Sequence, residues 1–238
     1  MLIEILGTAT CIAAGVMSYG VRGRSSQLFG RSVWRGPGDR PALALTFDDG
    51  PSESTPELLE LLDRHRARAT FFQCGVNVTR LPQIARDVSS ADHEIGNHSH
   101  SHPRFYFRSR RYIYEELMRA QESIGEVTGF RPTLFRAPCG VRWPGLGQVQ
   151  SQLGLLGVMW TVIGRDWALP APRVFDRVLQ AVRNGAIICL HDGRCLRPKP
   201  DIRATVEAVR RLLPELQARG FRFETVSELL CPKNSSRE

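Results

Sequence analysis

The chain has 238 residues, enough for one catalytic-sized domain with a sizeable core and too few for several. Its net charge of +8 rests almost wholly on arginine, since Lys199 and Lys233 are the only lysines. No module interleaves basic and aromatic residues, which argues against a nucleic-acid partner, and the surface reads first as solvated arginine and second as a match for acidic lipid or cell-wall polymer. Six cysteines without CxxC spacing argue against a disulfide framework in a domain this large. Of these, Cys74, Cys139 and Cys189 fall in or beside predicted strands and read as small core residues.

From the N-terminus, Ile5 to Met17 is apolar, with Glu4 before it and Arg22 and Arg24 after it. That is shorter than the roughly 20 residues that span a bilayer. The stretch therefore reads as an uncleaved anchor, a poor signal peptide or a peripheral helix, and membrane association through residues 1–20 is expected. The arginine side would face the cytoplasm by charge asymmetry. A polar linker through Pro37-Gly38-Asp39-Arg40-Pro41 completes an N-terminal segment over residues 1–41. The catalytic domain is expected over residues 42–230, with a tail over 231–238.

Within that domain short apolar runs recur at Leu43–Phe47, Thr70–Gln73, Glu94–Gly96, Thr133–Arg136, Leu156–Trp160, Ile187–Leu190 and Arg222–Thr225. Segments of helical period separate them. Thr55 is a plausible N-cap with Pro56 at the first helical position and a Leu58, Leu59, Leu62 stripe. Ser109 to Thr128 is closed by Gly129, and Arg203 to Arg219 by Gly220. Seven strands alternating with helices predict a parallel α/β fold, because parallel neighbours need crossover connections. Chemistry-bearing residues fall just after the strands, as in a closed barrel, and seven strands instead of eight would distort it. An open doubly wound sheet is the alternative, but no Gly-rich nucleotide loop follows the first strand.

Asp48 and Asp49 end the first of these strands. Desolvating two like charges together is costly unless a cation and a proton use them. Adjacent strand residues point to opposite sides, so only one can bind the cation while the other serves as a base. His98 and His102, four apart, could converge in a helix or tight turn, leaving His100 to point elsewhere. Two imidazoles and one carboxylate form a three-ligand site with open positions, which suits zinc and tolerates other divalent ions.

Thr46-Phe47-Asp48-Asp49-Gly50-Pro51, Asn97-His98-Ser99-His100-Ser101-His102, Phe135-Arg136-Ala137-Pro138, Asp166-Trp167 and Leu190-His191-Asp192 resemble, in order, the five motifs of the polysaccharide deacetylases. This is the NodB-homology domain of carbohydrate esterase family 4, and the resemblance covers roughly Ala42 to Val226. It implies a distorted (β/α)7 barrel that hydrolyses the amide of N-acetyl amino sugars. Asp49, His98 and His102 would hold one divalent ion: zinc first, with cobalt or nickel as substitutes. Asp48 would be the general base, oriented by Arg136, and His191 the general acid. Asp166 would hydrogen-bond in the arginine and histidine network, and Trp167, Cys139 and Leu190 would line the substrate cleft. The implied partner is a carbohydrate such as peptidoglycan, a chitin-like oligomer or a glycolipid. The implied location is the membrane or the cell envelope, with the cytoplasmic face left open. Rivals are a small non-sugar amide or imide as substrate, and a silent glycan-binding member.

Three positions depart from the family pattern. Cys139 stands where an aromatic residue is usual, which removes groove area but keeps a backbone N–H for an oxyanion. Ile163 stands where a further aspartate is usual, and Cys189 where leucine is usual. Asp192 reads as a turn cap, Trp143 and Trp160 as core or groove lining, and His65 and His93 as structural or exposed.

Overall fold

The apolar run that ends in the two aspartates becomes the central strand of one parallel sheet. A computed structural model describes residues 2–231, with side chains from residue 10 onward. In chain order the elements are α1 (Leu2–Arg22), β1 (Ser32–Val33), β2 (Ala42–Gly50), α2 (Thr55–Arg64), β3 (Ala69–Gln73), α3 (Gly75–Arg80), α4 (Pro82–Ser90), β4 (Glu94–Asn97), α5 (Arg110–Thr128), β5 (Leu134–Phe135), α6 (Leu146–Leu153), β6 (Leu156–Val158), β7 (Val162–Ile163), α7 (Ala171–Ala181), β8 (Ala186–His191), α8 (Arg203–Ala218), β9 (Arg222–Phe223) and α9 (Val226–Leu230).

The strands pair in the order β1-β6-β5-β4-β3-β2-β8-β7, with β9 added on β2, and every ladder is parallel. β6 and β7 are separated by residues 159–161 alone, yet β6 lies beside β5 and β7 beside β8. The chain thus crosses from one end of the sheet to the other and curls it into a distorted barrel. The Met159 N–H donates to the Val33 carbonyl and the Thr161 N–H to the Ile187 carbonyl, stitching the crossing on both sides. Arg35 adds an antiparallel bridge to Ala186. An open doubly wound sheet is set aside.

All seven predicted strands are present, those at Leu134–Phe135, Leu156–Val158 and Arg222–Phe223 shorter than expected. Ser32–Val33, expected as linker, is instead an edge strand on β6. β2 is buried along its whole length, so its apolar residues run continuously as in a doubly covered strand. Leu43, Leu45 and Phe47 pack into the larger core cluster, with Leu58 and Leu62 of α2 and Leu212, Leu213 and Leu216 of α8. Ala42 and Ala44 face the barrel interior with Phe72 and Ile187.

Helix ends follow the expected local rules only in part. Ser109 caps α5 by accepting from the Tyr112 N–H, and Gly129 ends it at φ 71°, where a side chain would strain. Thr55 is not the cap of α2 but its first residue, because its hydroxyl donates to the Asp192 carboxylate at 2.7 Å. At the end of α1, Val21 packs with Phe105, Leu117 and Phe135, and Arg142 donates to the carbonyls of Gly23 and Ser26. Farther back on α1, Ile12, Val16 and Met17 are exposed. Among the described residues no helix is long and apolar enough to cross a membrane. The side chains of residues 1–9, in the stretch expected at a membrane, lie outside the described residues, as does the tail over 232–238. All six cysteines are free, and Cys139 is exposed rather than in the core.

Candidate active site

The predicted residues gather at the carboxyl ends of β2, β4, β5, β7 and β8. Asp48 stays in register, opposite Phe72 on one side and His191 on the other. A bulge follows, and Asp49 takes a left-handed backbone at φ 72°. This bulge, more than simple alternation, swings the second carboxylate away from the first. Asp49 Oδ1 lies 3.3 Å from His98 Nε2 and 2.9 Å from His102 Nε2. Its Oδ2 accepts from the Cys195 N–H at 2.8 Å, and its carbonyl accepts from Asn77 Nδ2 at 2.8 Å.

The two imidazoles converge through a tight turn. Ser99 (φ 65°) and His102 (φ 56°) are both left-handed, and the ring centroids stand 5.0 Å apart. Asn97 Oδ1 accepts from the Ser99 N–H at 2.8 Å, and the Ser99 hydroxyl accepts from the His102 N–H at 3.1 Å. α5 pins the turn from behind: Glu116 accepts from the Ser101 N–H and hydroxyl, both at 2.8 Å. His100 points elsewhere, its Nε2 2.9 Å from Arg119 Nη2.

These donors fit a divalent cation. His98 Nδ1 lies 2.8 Å from the Arg136 carbonyl, which can only accept, so Nδ1 carries the hydrogen. In the neutral ring Nε2 then turns a lone pair onto the lone pairs of Asp49 Oδ1, unfavourable unless positive charge lies between. Asp49, His98 and His102 are one of two groups among the described residues whose ligand atoms cluster closely enough to hold an ion. Burial would raise the Asp49 carboxyl, but the imidazoles of His102 and His98 beside it hold it well below the usual range.

The second acid has a different environment. Arg136, fully buried, donates to Asp48 Oδ1 at 2.6 Å, to Thr46 Oγ1 at 2.7 Å and to the Val158 carbonyl at 3.1 Å. Its guanidinium lies 4.1 Å from the centre of the Phe72 ring. On the other side Cys189 Sγ is 3.4 Å from Asp48 Oδ2. Burial and the Asp48 charge push this thiol well above its ordinary value, so it stays protonated and donates.

At the third corner His191 Nδ1 is 2.9 Å from Asp166 Oδ1, while Asp166 Oδ2 accepts from the His191 N–H at 3.0 Å and from the Thr205 hydroxyl at 2.5 Å. Burial alone would strip the imidazole of its proton, but Asp166, with Asp49 and Asp48 behind it, holds His191 up to about 9. Asp166 itself is kept below its ordinary value despite burial, by His191, Thr205 and Arg194. Its arginine partner is Arg194, 3.7 Å from Oδ2, and not Arg136. Trp167 is 48% exposed and presents its ring edge-on to His191 at 5.0 Å.

Two further expectations need correction. Leu190 does not line the cleft; it is fully buried in the larger core cluster, on the face of β8 opposite Cys189 and His191. Asp192 is more than a turn cap, since it is completely buried beneath Gly50, where an added Cβ would meet its carboxylate at 2.2 Å. Burial pushes its carboxyl up to about 7 against the Thr55 hydrogen bond. His93 is structural, accepting from the Ala69 N–H, and burial lowers it to about 4. Thr46 stands in the first motif, but its sequence gives no hint that its hydroxyl meets Arg136. Asn77, Glu116, Arg194, Cys195 and Thr205 lie outside every motif, and each acts through a contact remote in sequence.

A family model described as polysaccharide deacetylase matches residues 35–158. A peptidoglycan-N-acetylglucosamine deacetylase of Bacillus cereus is 35% identical over 209 residues, spanning 86% of this chain and 95% of the relative. The chain belongs to the polysaccharide deacetylase family. A chitooligosaccharide deacetylase of Bradyrhizobium sp. is 36% identical over 194 residues, 78% of this deacetylase chain and 89% of the relative. Among solved structures, the Bc1960 peptidoglycan N-acetylglucosamine deacetylase superposes with a TM-score of 0.78 at 29% identity, covering 83% of this chain and 91% of that one. The curled parallel sheet is therefore the fold of this deacetylase family.

Proposed function

We propose that the protein removes acetyl groups from N-acetyl amino sugars in an oligo- or polysaccharide, with Asp49, His98 and His102 holding one divalent ion. The observation that carries this reading is the separation of the two adjacent carboxylates. Asp49 faces two imidazoles, while Asp48 faces a guanidinium and a neutral thiol. The donor set suits zinc, with cobalt or nickel as alternatives. A bound ion would polarise the acetamide carbonyl and acidify the attacking water.

The remaining work belongs to this chain's own side chains. Asp48, aligned by Arg136, takes the proton from the water as it attacks the carbonyl carbon. The free N–H of the His191 imidazolium, at Nε2, gives its proton to the sugar nitrogen as the C–N bond breaks. Asp166, on Nδ1, keeps that ring charged and oriented. Trp167 supplies an apolar wall beside His191, and the Cys139 backbone lends an N–H near the developing oxyanion.

The substrates named for the relatives make cell-wall glycan and chitin-like oligomers the first to try. Purified protein with added zinc or cobalt should release acetate from N-acetylglucosamine oligomers or peptidoglycan, and a chelator should stop it. Asp48→Asn should lower turnover by about a thousandfold while sparing metal binding. No acetate from any of these glycans would remove the sugar assignment.

An envelope location also accords with α1, whose exposed Ile12, Val16 and Met17 lie within the last three turns before Arg22, with Arg24 just beyond. An apolar face followed by cations suits an anionic lipid surface. Co-sedimentation with phosphatidylglycerol vesicles but not phosphatidylcholine vesicles is the expected result, and equal pelleting with neither would count against it.

A further inference from the structure

Phe107 is 86% exposed, the highest value among the exposed large hydrophobic residues of the described chain, and its backbone is left-handed at φ 56°. An aromatic side chain gains nothing from water, and a residue with a Cβ gains nothing from that conformation. The surrounding structure nevertheless enforces both. Phe105, two residues earlier, is completely buried, and Tyr106 packs on the same cluster, so the chain is anchored immediately before the exposed ring. The Phe107 ring stands 4.7 Å from that of Trp143, whose indole is braced edge-on by Tyr106 at 6.0 Å.

This aromatic pair is carried by the segments that follow two residues of the candidate site. Phe107 follows His102 by five residues, and Trp143 follows Cys139 by four. Arg22 ties the two segments together, donating to the Cys139 carbonyl at 2.9 Å while its guanidinium lies 6.0 Å from the Tyr106 ring centre. Arg104, between His102 and Phe107, reaches the Cys139 side chain. Cys139 is small and exposed where an aromatic side chain would offer stacking area.

We propose that Phe107 and Trp143 form a stacking platform for a pyranose ring adjoining the N-acetyl unit at the reacting centre. The axial C–H groups of a β-linked hexosamine make one ring face apolar, and such a face covers an aromatic surface while the hydroxyls stay at the edge. Arg22 and Arg104, both reaching Cys139, offer N–H donors for those hydroxyls. The platform thus supplies, one sugar away, aromatic area that Cys139 does not, and it makes chain length a determinant of affinity. This inference rests on the deacetylase reading for its choice of sugar.

The test titrates the protein with N-acetylglucosamine and its oligomers from dimer to pentamer, by calorimetry and by Trp fluorescence, beside acetate release. Wild-type affinity should rise from monomer to dimer. Phe107→Ala, at an exposed position that does not endanger folding, should flatten the rise. It should weaken dimer and pentamer binding about tenfold and leave the monomer unchanged, while Phe107→Trp retains the wild-type trend. Dimer binding indifferent to Phe107→Ala, an equal loss for monomer and dimer, or no oligomer binding by the wild type would each overturn the platform. Length- and Phe107-dependent binding without acetate release would instead sink the deacetylase reading and leave the platform standing.

Discussion

At the scale of single residues the clearest consequence concerns protons. In the acid role proposed for it His191 must be charged, and its raised value keeps it protonated throughout the neutral range, losing its proton as pH climbs through about 9. The rate should therefore fall on the alkaline side near that pH. In Asp166→Asn the carboxylate that holds the proton is gone, so the fall should move toward the ordinary histidine value of about 6.5. A pH–rate profile of both proteins checks this, and an unmoved alkaline limb in the variant would show that Asp166 does not set the charge. Cysteine accessibility gives an independent reading of the same region. Cys74 and Cys189 are buried, burial pushing both thiols up, whereas Cys11, Cys139, Cys195 and Cys231 are exposed. Iodoacetamide should spare the first two in the native protein and reach all six after denaturation. Alkylation at Cys195, whose N–H holds Asp49, should also depress activity, and peptide mapping by mass spectrometry assigns each adduct.

At the scale of elements the site depends on how loops are pinned, and this is where sequence reading stops. The long apolar runs of β2, β3 and β8 are legible because they pack on both faces, and α5 is legible from its cap and its terminal glycine. β1 and β7 are not, because two residues carry no period and their pairing is imposed by the crossing at residues 159–161. The motifs identify Asp48, Asp49, His98, His102, Arg136 and His191 because each is a chemically costly residue at a strand end. They misplace Leu190 because a motif carries no facing, and facing follows only from the register against β2. They miss Glu116 because its role is to hold the Ser101 turn from another element. Glu116→Ala should remove the two acceptors of the half-buried Ser101 at a cost of about 1 kcal/mol, and it should loosen the turn that presents His102. Urea denaturation reports the first effect and metal titration the second. A variant with unchanged metal affinity would show that the turn holds its shape without α5.

For the molecule as a whole, the proposed ligand set would make metal binding and folding one equilibrium. Asp49, His98 and His102 come from the ends of β2 and β4, so they meet only in the folded chain, and an ion gripped by them binds the native state far better than the unfolded one. Free ion at about 100 times its dissociation constant should then add about 2.7 kcal/mol of stability. For a chain of this size that corresponds to a rise of roughly 5–10 °C in Tm. The loss on chelation should therefore be visible without any substrate, which separates the ligand assignment from the question of which glycan is cleaved. His102→Ala removes one ligand from a partly exposed turn and should still fold, but its Tm should no longer respond to added zinc. Asp48→Asn, which alters the other carboxylate, should keep the full response while losing turnover. Thermal melts of the three proteins with chelator and with zinc decide the matter. A wild-type Tm that ignores both additions would mean that these three side chains do not hold an ion, and the division of labour between Asp48 and Asp49 would fall with it.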